Sequence, residues 1–173
     1  MTLSIRPTTP ADIPAIARIY AHAVRTGTAT FELEPPDEAE MLRRYEKLRA
    51  GPFPYIVAEI DGAVAGYAYA GPFRERPAYR FTVEDSIYIA PEMQKRGVGK
   101  ALMEELIKRA EQAGFRQMMA VIGDSNQAGS IALHRSCGFR DAGVFKAVGY
   151  KFGRWLDTVQ MQLPLGKGDT AAP

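Results

Sequence analysis

The sequence predicts an α/β chain, α+β by some schemes, built as one mixed central sheet of about seven strands flanked by about four helices. Residues 83–122 read as strand, loop, helix, strand. Two apolar runs, 55–60 and 63–70, meet at Asp61-Gly62, and three further stretches carry apolar residues at helical spacing. At 173 residues and 46% hydrophobic content, the chain has the size of a single domain with one core. That domain is set at residues 1–165, and the polar, glycine-bearing stretch 166–173 reads as a disordered tail.

Leu3 to Arg6 alternates as a short first strand. Thr9-Pro10-Ala11-Asp12 then offers an N-cap, a proline at the first helical position and an acid at the third. Ile13, Ile16, Ala17, Tyr20, Ala23 and Val24 form the stripe of a helix that Gly27 ends. Thr26 to Pro36 has no period and carries Phe31 among polar residues, so it reads as a loop. Asp37 and Glu40 form a second capping box, opening a helix with Met41, Leu42, Tyr45 and Leu48 inward and Gly51-Pro52 as its stop. The runs on either side of Asp61-Gly62 are a hairpin, and residues 71–78 are a loop into the central strand. There Val83, Asp85, Ile87 and Ile89 alternate with Glu84, Ser86 and Tyr88, placing one acid on each face, until Ala90-Pro91 stops the strand.

Val98, Ala101, Leu102, Leu106, Ala110 and Ala113 form the next helix, which Gly114 caps. Gln117 to Ile122 is a nearly continuous apolar run, as in a buried parallel strand. Gly123-Asp124-Ser125 caps a helix holding Ile131, Leu133, His134 and Cys137, closed by Gly138. Residues 139–148 and 155–163 are a last antiparallel pair. The element order is β-α-α-β-β-β-α-β-α-β-β.

Composition removes several function classes. A formal net charge of +2, from 22 basic and 20 acidic residues interspersed, leaves no footprint for nucleic acid or a polybasic membrane contact. The N-terminus lacks a signal-peptide run, and no stretch approaches about 18 consecutive apolar residues, so the chain reads as a soluble cytoplasmic protein. Cys137 is the single cysteine, which excludes an internal disulfide and fits a reducing compartment. With His22 and His134 the only histidines, no metal site is expected.

The loop before the third helix reads Gln94-Lys95-Arg96-Gly97-Val98-Gly99-Lys100. Its glycines leave backbone N–H groups and the positive end of a helix dipole open to an anion. A P-loop would need Gly where Gln94 stands, and a dinucleotide fingerprint Gly or Ala where Leu102 stands. The pattern left is Q-x-x-G-x-G. The same residues also fit a plain strand-to-helix turn flanked by solvated Lys and Arg, and spacing alone leaves both readings open.

Q-x-x-G-x-G resembles the acetyl-CoA pyrophosphate loop of the GNAT N-acetyltransferase superfamily, and the element order extends that resemblance over nearly the whole chain. V-E-D-S-I-Y-I, A-V-I-G-D-S, S-I-A-L-H-R-S-C-G-F and Y-K-F-G-R-W-L-D resemble the phosphinothricin and methionine sulfoximine acetyltransferases. The resemblance implies transfer of an acetyl group from acetyl-CoA to the α-amino group of a small amino-acid analogue, without metal, by a homodimer. Two other readings remain: another amine or a protein N-terminus as acceptor, and a non-catalytic acyl-CoA sensor.

Amine acylation needs a proton acceptor near the amine. Glu84, where the central strand begins, is that candidate from its position and from the resemblance; its other reading is a strand-end carboxylate paired with an arginine. Asp85, on the opposite face, is read as structural. The central strand and the strand at 117–122 are expected to splay at their C-terminal ends. The resemblance places pantetheine in that slot against the backbone of Ile87, Tyr88 and Ile89, and the pyrophosphate on residues 95–100. It also puts His134 where an acid for the departing thiolate stands, although a hydrogen-bonded core histidine fits equally. Asn126 and Gln127 compete for the amide contact to the cofactor, with Ser130 nearby. Arg74 and Arg80 are candidates for the substrate carboxylate, and Phe31 for the wall facing its side chain. Cys137, at a helix end without a His-Asp partner, is not expected to act as a nucleophile.

Overall fold

In the computed structural model, which describes residues 2–173, the strands are β1 (Leu3–Pro7), β2 (Tyr55–Ile60), β3 (Ala63–Pro72), β4 (Thr82–Ile89), β5 (Gln117–Gly123), β6 (Arg140–Lys151) and β7 (Arg154–Pro164). The helices are α1 (Ile13–Thr26), α2 (Glu38–Arg49), α3 (Val98–Gln112) and α4 (Ala128–Ser136). All seven strands form one sheet in the order β1-β2-β3-β4-β5-β7-β6, antiparallel except for β4 with β5. The expected fold class and element order are both present.

Local chemistry explains the framework. At Asp61-Gly62 both residues have positive φ, 50° and 82°, as a two-residue hairpin between right-twisted strands requires. Thr9 and Asp12 make the capping box, and Asp12 also takes two hydrogen bonds from Arg6, tying α1 to β1. At α2 only half of the expected box forms. Asp37 accepts from Glu40 N at 2.7 Å, while the Glu40 carboxylate turns to Arg43 and Arg44.

The alternation of β2 divides the core. Tyr55 and Val57 face α1 and α2, with Ile16, Tyr20, Tyr45 and Tyr67. Ile56, Ala58 and Ile60 face α3, with Leu102, Leu106 and Met118. Val83 lies on the α3 face, so Asp85 belongs to that face and Glu84 to the other.

Several boundaries differ from the sequence reading. The final strands run to Lys151 and from Arg154, because Phe152-Gly153, with φ of 52° and 73°, closes a second two-residue hairpin. Helix α4 begins later than expected, behind Gln127, because Asp124 spends its carboxylate on Asn126 N in a tight turn. Residues 166–173 run in turns along Arg116, whose guanidinium donates to Gly168 O and Ala171 O.

Candidate active site

Strands β4 and β5 are paired only at Thr82–Gln117, Val83–Met118 and Glu84–Met119. Beyond these, β5 stays on its β7 partner up to Gly123 while β4 stays on β3, so the two strands part as expected. The gap is a cavity of about 350 Å³. Because it lies between strands, residues from both faces of β4 reach it, and Glu84 and Asp85 both line it.

Glu84 stands at the last paired position. Among the described residues none donates a hydrogen bond to its carboxylate. Burial, with a smaller push from the Asp85 charge, raises its pKa from 4.5 to about 7. Among the described residues no arginine is seen to pair with it. The strand-end ion pair is therefore absent, and what remains is a carboxyl poised to titrate near neutrality.

On the other face, His134 Nε2 lies 3.0 Å from Asp85 Oδ2, and Nδ1 lies 2.7 Å from Ser130 O. A carbonyl only accepts, so Nδ1 carries a proton and Nε2 shares one with Asp85. Burial disfavours the imidazolium, but the Asp85 hydrogen bond and charge outweigh it and raise the His134 pKa above 6.5. Asp85 Oδ1, also buried, has no hydrogen-bond partner among the described residues. The residue read as structural thus holds the residue read as an acid. An acid in the inward row of a strand, facing a helix with a histidine, was the available signal.

Tyr20, Tyr69 and Tyr88 close the cavity on the α1 side. Burial pushes Tyr20 up to about 12 and raises the other two, so all three hydroxyls stay protonated and serve as donors. Phe31 lines the cavity, as does Gln127, whose amide donates to Thr28 Oγ1 at 3.0 Å; Asn126 is exposed and does not line it. Ile87, Tyr88 and Ser130 also contribute, whereas Ile89 packs beneath Gly66 and Gly99.

The glycine loop lies beyond the end of β4. Gly97 is the N-cap of α3 with φ of 81°, no side chain caps the helix, and open space lies where a Cβ would be. Lys95 also has positive φ, 59°, and Val98 is buried. Gly99 packs against Leu133 and Ile89, joining α3, α4 and β4, and Lys100 pairs with Glu104. An unpaired strand edge leading to an open helix N-terminus fits an extended amide chain that ends in phosphates.

Arg74 and Arg80 are not brought to the cavity. Arg74 stacks between Phe73 and Tyr79 in a separate depression; Arg80 donates to Pro77 O and lies over Phe81. Among the described residues no carboxylate locks either one there. Cys137 also lies outside the cavity, and burial raises its thiol pKa.

The profile of the acetyltransferase (GNAT) family matches residues 16–139. The chain belongs to that family. A phosphinothricin N-acetyltransferase of Alcaligenes faecalis is 56% identical over 162 residues, covering 94% of this chain and 82% of that protein. An L-methionine sulfoximine/L-methionine sulfone acetyltransferase of Salmonella typhimurium is 40% identical, covering 99% of this chain and 98% of that one. Among solved structures, a GNAT phosphinothricin acetyltransferase from Sinorhizobium meliloti in complex with acetyl-CoA superposes with a TM-score of 0.97 at 51% identity, covering 100% of this chain and 94% of that chain. As a GNAT enzyme the chain is an acetyl-CoA-dependent N-acetyltransferase, and acetyl-CoA is its cosubstrate.

Proposed function

We propose that this GNAT enzyme transfers the acetyl group of acetyl-CoA to the α-amino group of a small amino-acid analogue of the phosphinothricin, methionine sulfoximine or methionine sulfone type. The transfer is direct, within a ternary complex. The observation that carries this is Glu84: an unpaired carboxyl with a pKa of about 7, in the gap between parting strands. Relatives acting on phosphinothricin and methionine sulfone support the acceptor class.

Bound acetyl-CoA supplies an electrophilic thioester. The backbone of Ile87, Tyr88 and Ile89 holds its amide arm, residues 95–100 hold the pyrophosphate, and Gln127 and Ser130 face it from the N-cap and first turn of α4. Glu84 takes the ammonium proton, directly or through water, leaving a neutral amine to attack. The proton shared by His134 and Asp85 is the one available on the thiolate side. Phe31 and the tyrosines exclude water around the acceptor. Arg80 is assigned to the substrate carboxylate. Among the described residues no carboxylate holds its guanidinium, and its stacking on Phe81 is weak enough to exchange for a bidentate contact as the side chain swings toward the acceptor. Incubation with acetyl-CoA and L-methionine sulfone yields the N-acetyl product by mass spectrometry, and an acceptor already blocked at the α-nitrogen yields none. Product from the blocked acceptor contradicts the assignment.

A homodimer completes the proposal. β6 is a free sheet edge, and Val144, Phe145, Val148, Tyr150, Phe152 and Trp155 stand exposed on its hairpin with β7. A free edge with this much apolar surface invites pairing, and a second copy is the occupant we assign. The wild-type protein sediments as a dimer, and Trp155→Glu combined with Phe145→Glu sediments as a monomer. A wild-type monomer contradicts it. No helix among the described residues is long and apolar enough to cross a membrane. We place the reaction in the cytoplasm, where acetyl-CoA and free amino acids meet, and expect expression to confer tolerance to phosphinothricin.

A further inference from the structure

Phe31, the wall of the acceptor side of the cavity, stands edge-on between two glycines. A Cβ on Gly149 would collide with its Cε2 and lie 2.5 Å from Cδ2; a Cβ on Gly123 would lie 2.9 Å from Cε1 and overlap Thr28 O. Gly149 is outside the left-handed region, so its backbone does not need glycine. The space does.

The bulge in β6 brings this about. Between Phe145–Thr158 and Gly149–Leu156, β6 takes four steps while β7 takes two. Ala147 there has φ of 53°, and Asp157 accepts from Ala147 N at 3.0 Å and from Lys146 Nζ at 2.9 Å. Such a bulge re-aims the residues that follow it. Two residues on, Lys151 is 3% exposed and has no carboxylate partner among the described residues. Its ammonium donates to Gly27 O at 2.9 Å and Thr30 O at 2.8 Å. Burying an ammonium without a counter-ion is unfavourable, and here both bonds are spent on the loop that carries Phe31, at the negative end of α1. Gln127 holds the same loop from α4 through Thr28.

We propose that Gly149 and Lys151 are positioning residues that set acceptor specificity by seating Phe31: the glycine leaves room for the ring, and the ammonium fixes the backbone that leads into it. This rests on the reading of the cavity as an α-amino-acid acceptor site. The depth open to an acceptor side chain follows from where the ring stands, so moving it affects long acceptors more than glycine.

The test is a double-mutant cycle on steady-state CoA release. Gly149→Ala raises the KM for L-methionine sulfone about tenfold and leaves the KM for acetyl-CoA within about twofold, the scale of one misplaced methyl in an apolar pocket. In a Phe31→Ala protein, adding Gly149→Ala changes the acceptor KM by less than about twofold. Lys151→Met gives the same pattern and serves where Gly149→Ala does not fold. Equal rises in both backgrounds, or in both substrates' KM values, overturn the proposal. A wild-type enzyme that turns over no α-amino acid overturns the acceptor reading and this inference together; normal wild-type turnover with an additive cycle overturns this inference alone.

Discussion

Glu84→Gln lowers kcat/KM by about 10²–10⁴-fold at pH 8, the usual worth of a positioned general base. It also removes the acid limb of the pH profile. The sign follows from the environment: burial, assisted by Asp85, raises the Glu84 pKa to about 7, and only the ionised form accepts a proton. Wild-type kcat/KM therefore climbs with pH through about 7 and then levels. In the Gln variant that limb is gone, and residual activity reflects the amine's own ionisation. Stability moves the other way. A carboxyl whose pKa is raised on folding destabilises the fold when ionised, with no penalty below its ordinary 4.5 and the full penalty above about 7. Glu84→Gln thus raises Tm relative to wild type at pH 8 and leaves it unchanged at pH 4. A variant with wild-type kcat/KM throughout the range contradicts the role.

Asp85→Ala destabilises the protein by about 3 kcal/mol at pH 6, because it strips a buried histidine of its charged partner. The His134 side chain is 3% exposed and that of Asp85 2%, so water replaces little of what is lost. The His134 pKa is raised on folding. The stabilisation it draws from Asp85 is accordingly full below 6.5 and fades as pH rises through the raised folded value. Denaturant melts show a large difference between wild type and Asp85→Ala at pH 6 and a smaller one at pH 9. An equal loss at both values would mean that the pair is held by a neutral hydrogen bond alone. Turnover falls too, since the variant leaves His134 free to rotate off its Ser130 contact.

The frame of this fold is legible because its signals are local. Asp61-Gly62 accepts positive φ at both turn positions, Thr9 and Asp12 cap one another three residues apart, and the alternation of β4 assigns Glu84 and Asp85 to opposite faces. The opening between β4 and β5 is legible too, since it follows from a strand-loop-helix-strand unit at the end of parallel pairing. The partners within the site are not. Asp85 meets His134 across 49 positions and Lys151 reaches Gly27 across 124, and no periodicity links residues that only the order of strands brings together. The seat of Phe31 was hidden for a further reason. Gly149 is a glycine because of what another loop places against it, and the two-residue bulge that aims it carries no turn signature. Arg74 and Arg80 mark the converse, where proximity in sequence to Glu84 does not bring a side chain into the cavity.

Steady-state CoA release with acetyl-CoA distinguishes the acceptor classes in one panel: L-phosphinothricin, L-methionine sulfoximine, L-methionine sulfone, glycine and a short peptide. Release is saturable with the first three, kcat/KM is at least about tenfold lower for glycine, and the peptide gives none above background. Release with the peptide and not with the amino-acid analogues would contradict the proposed acceptor class.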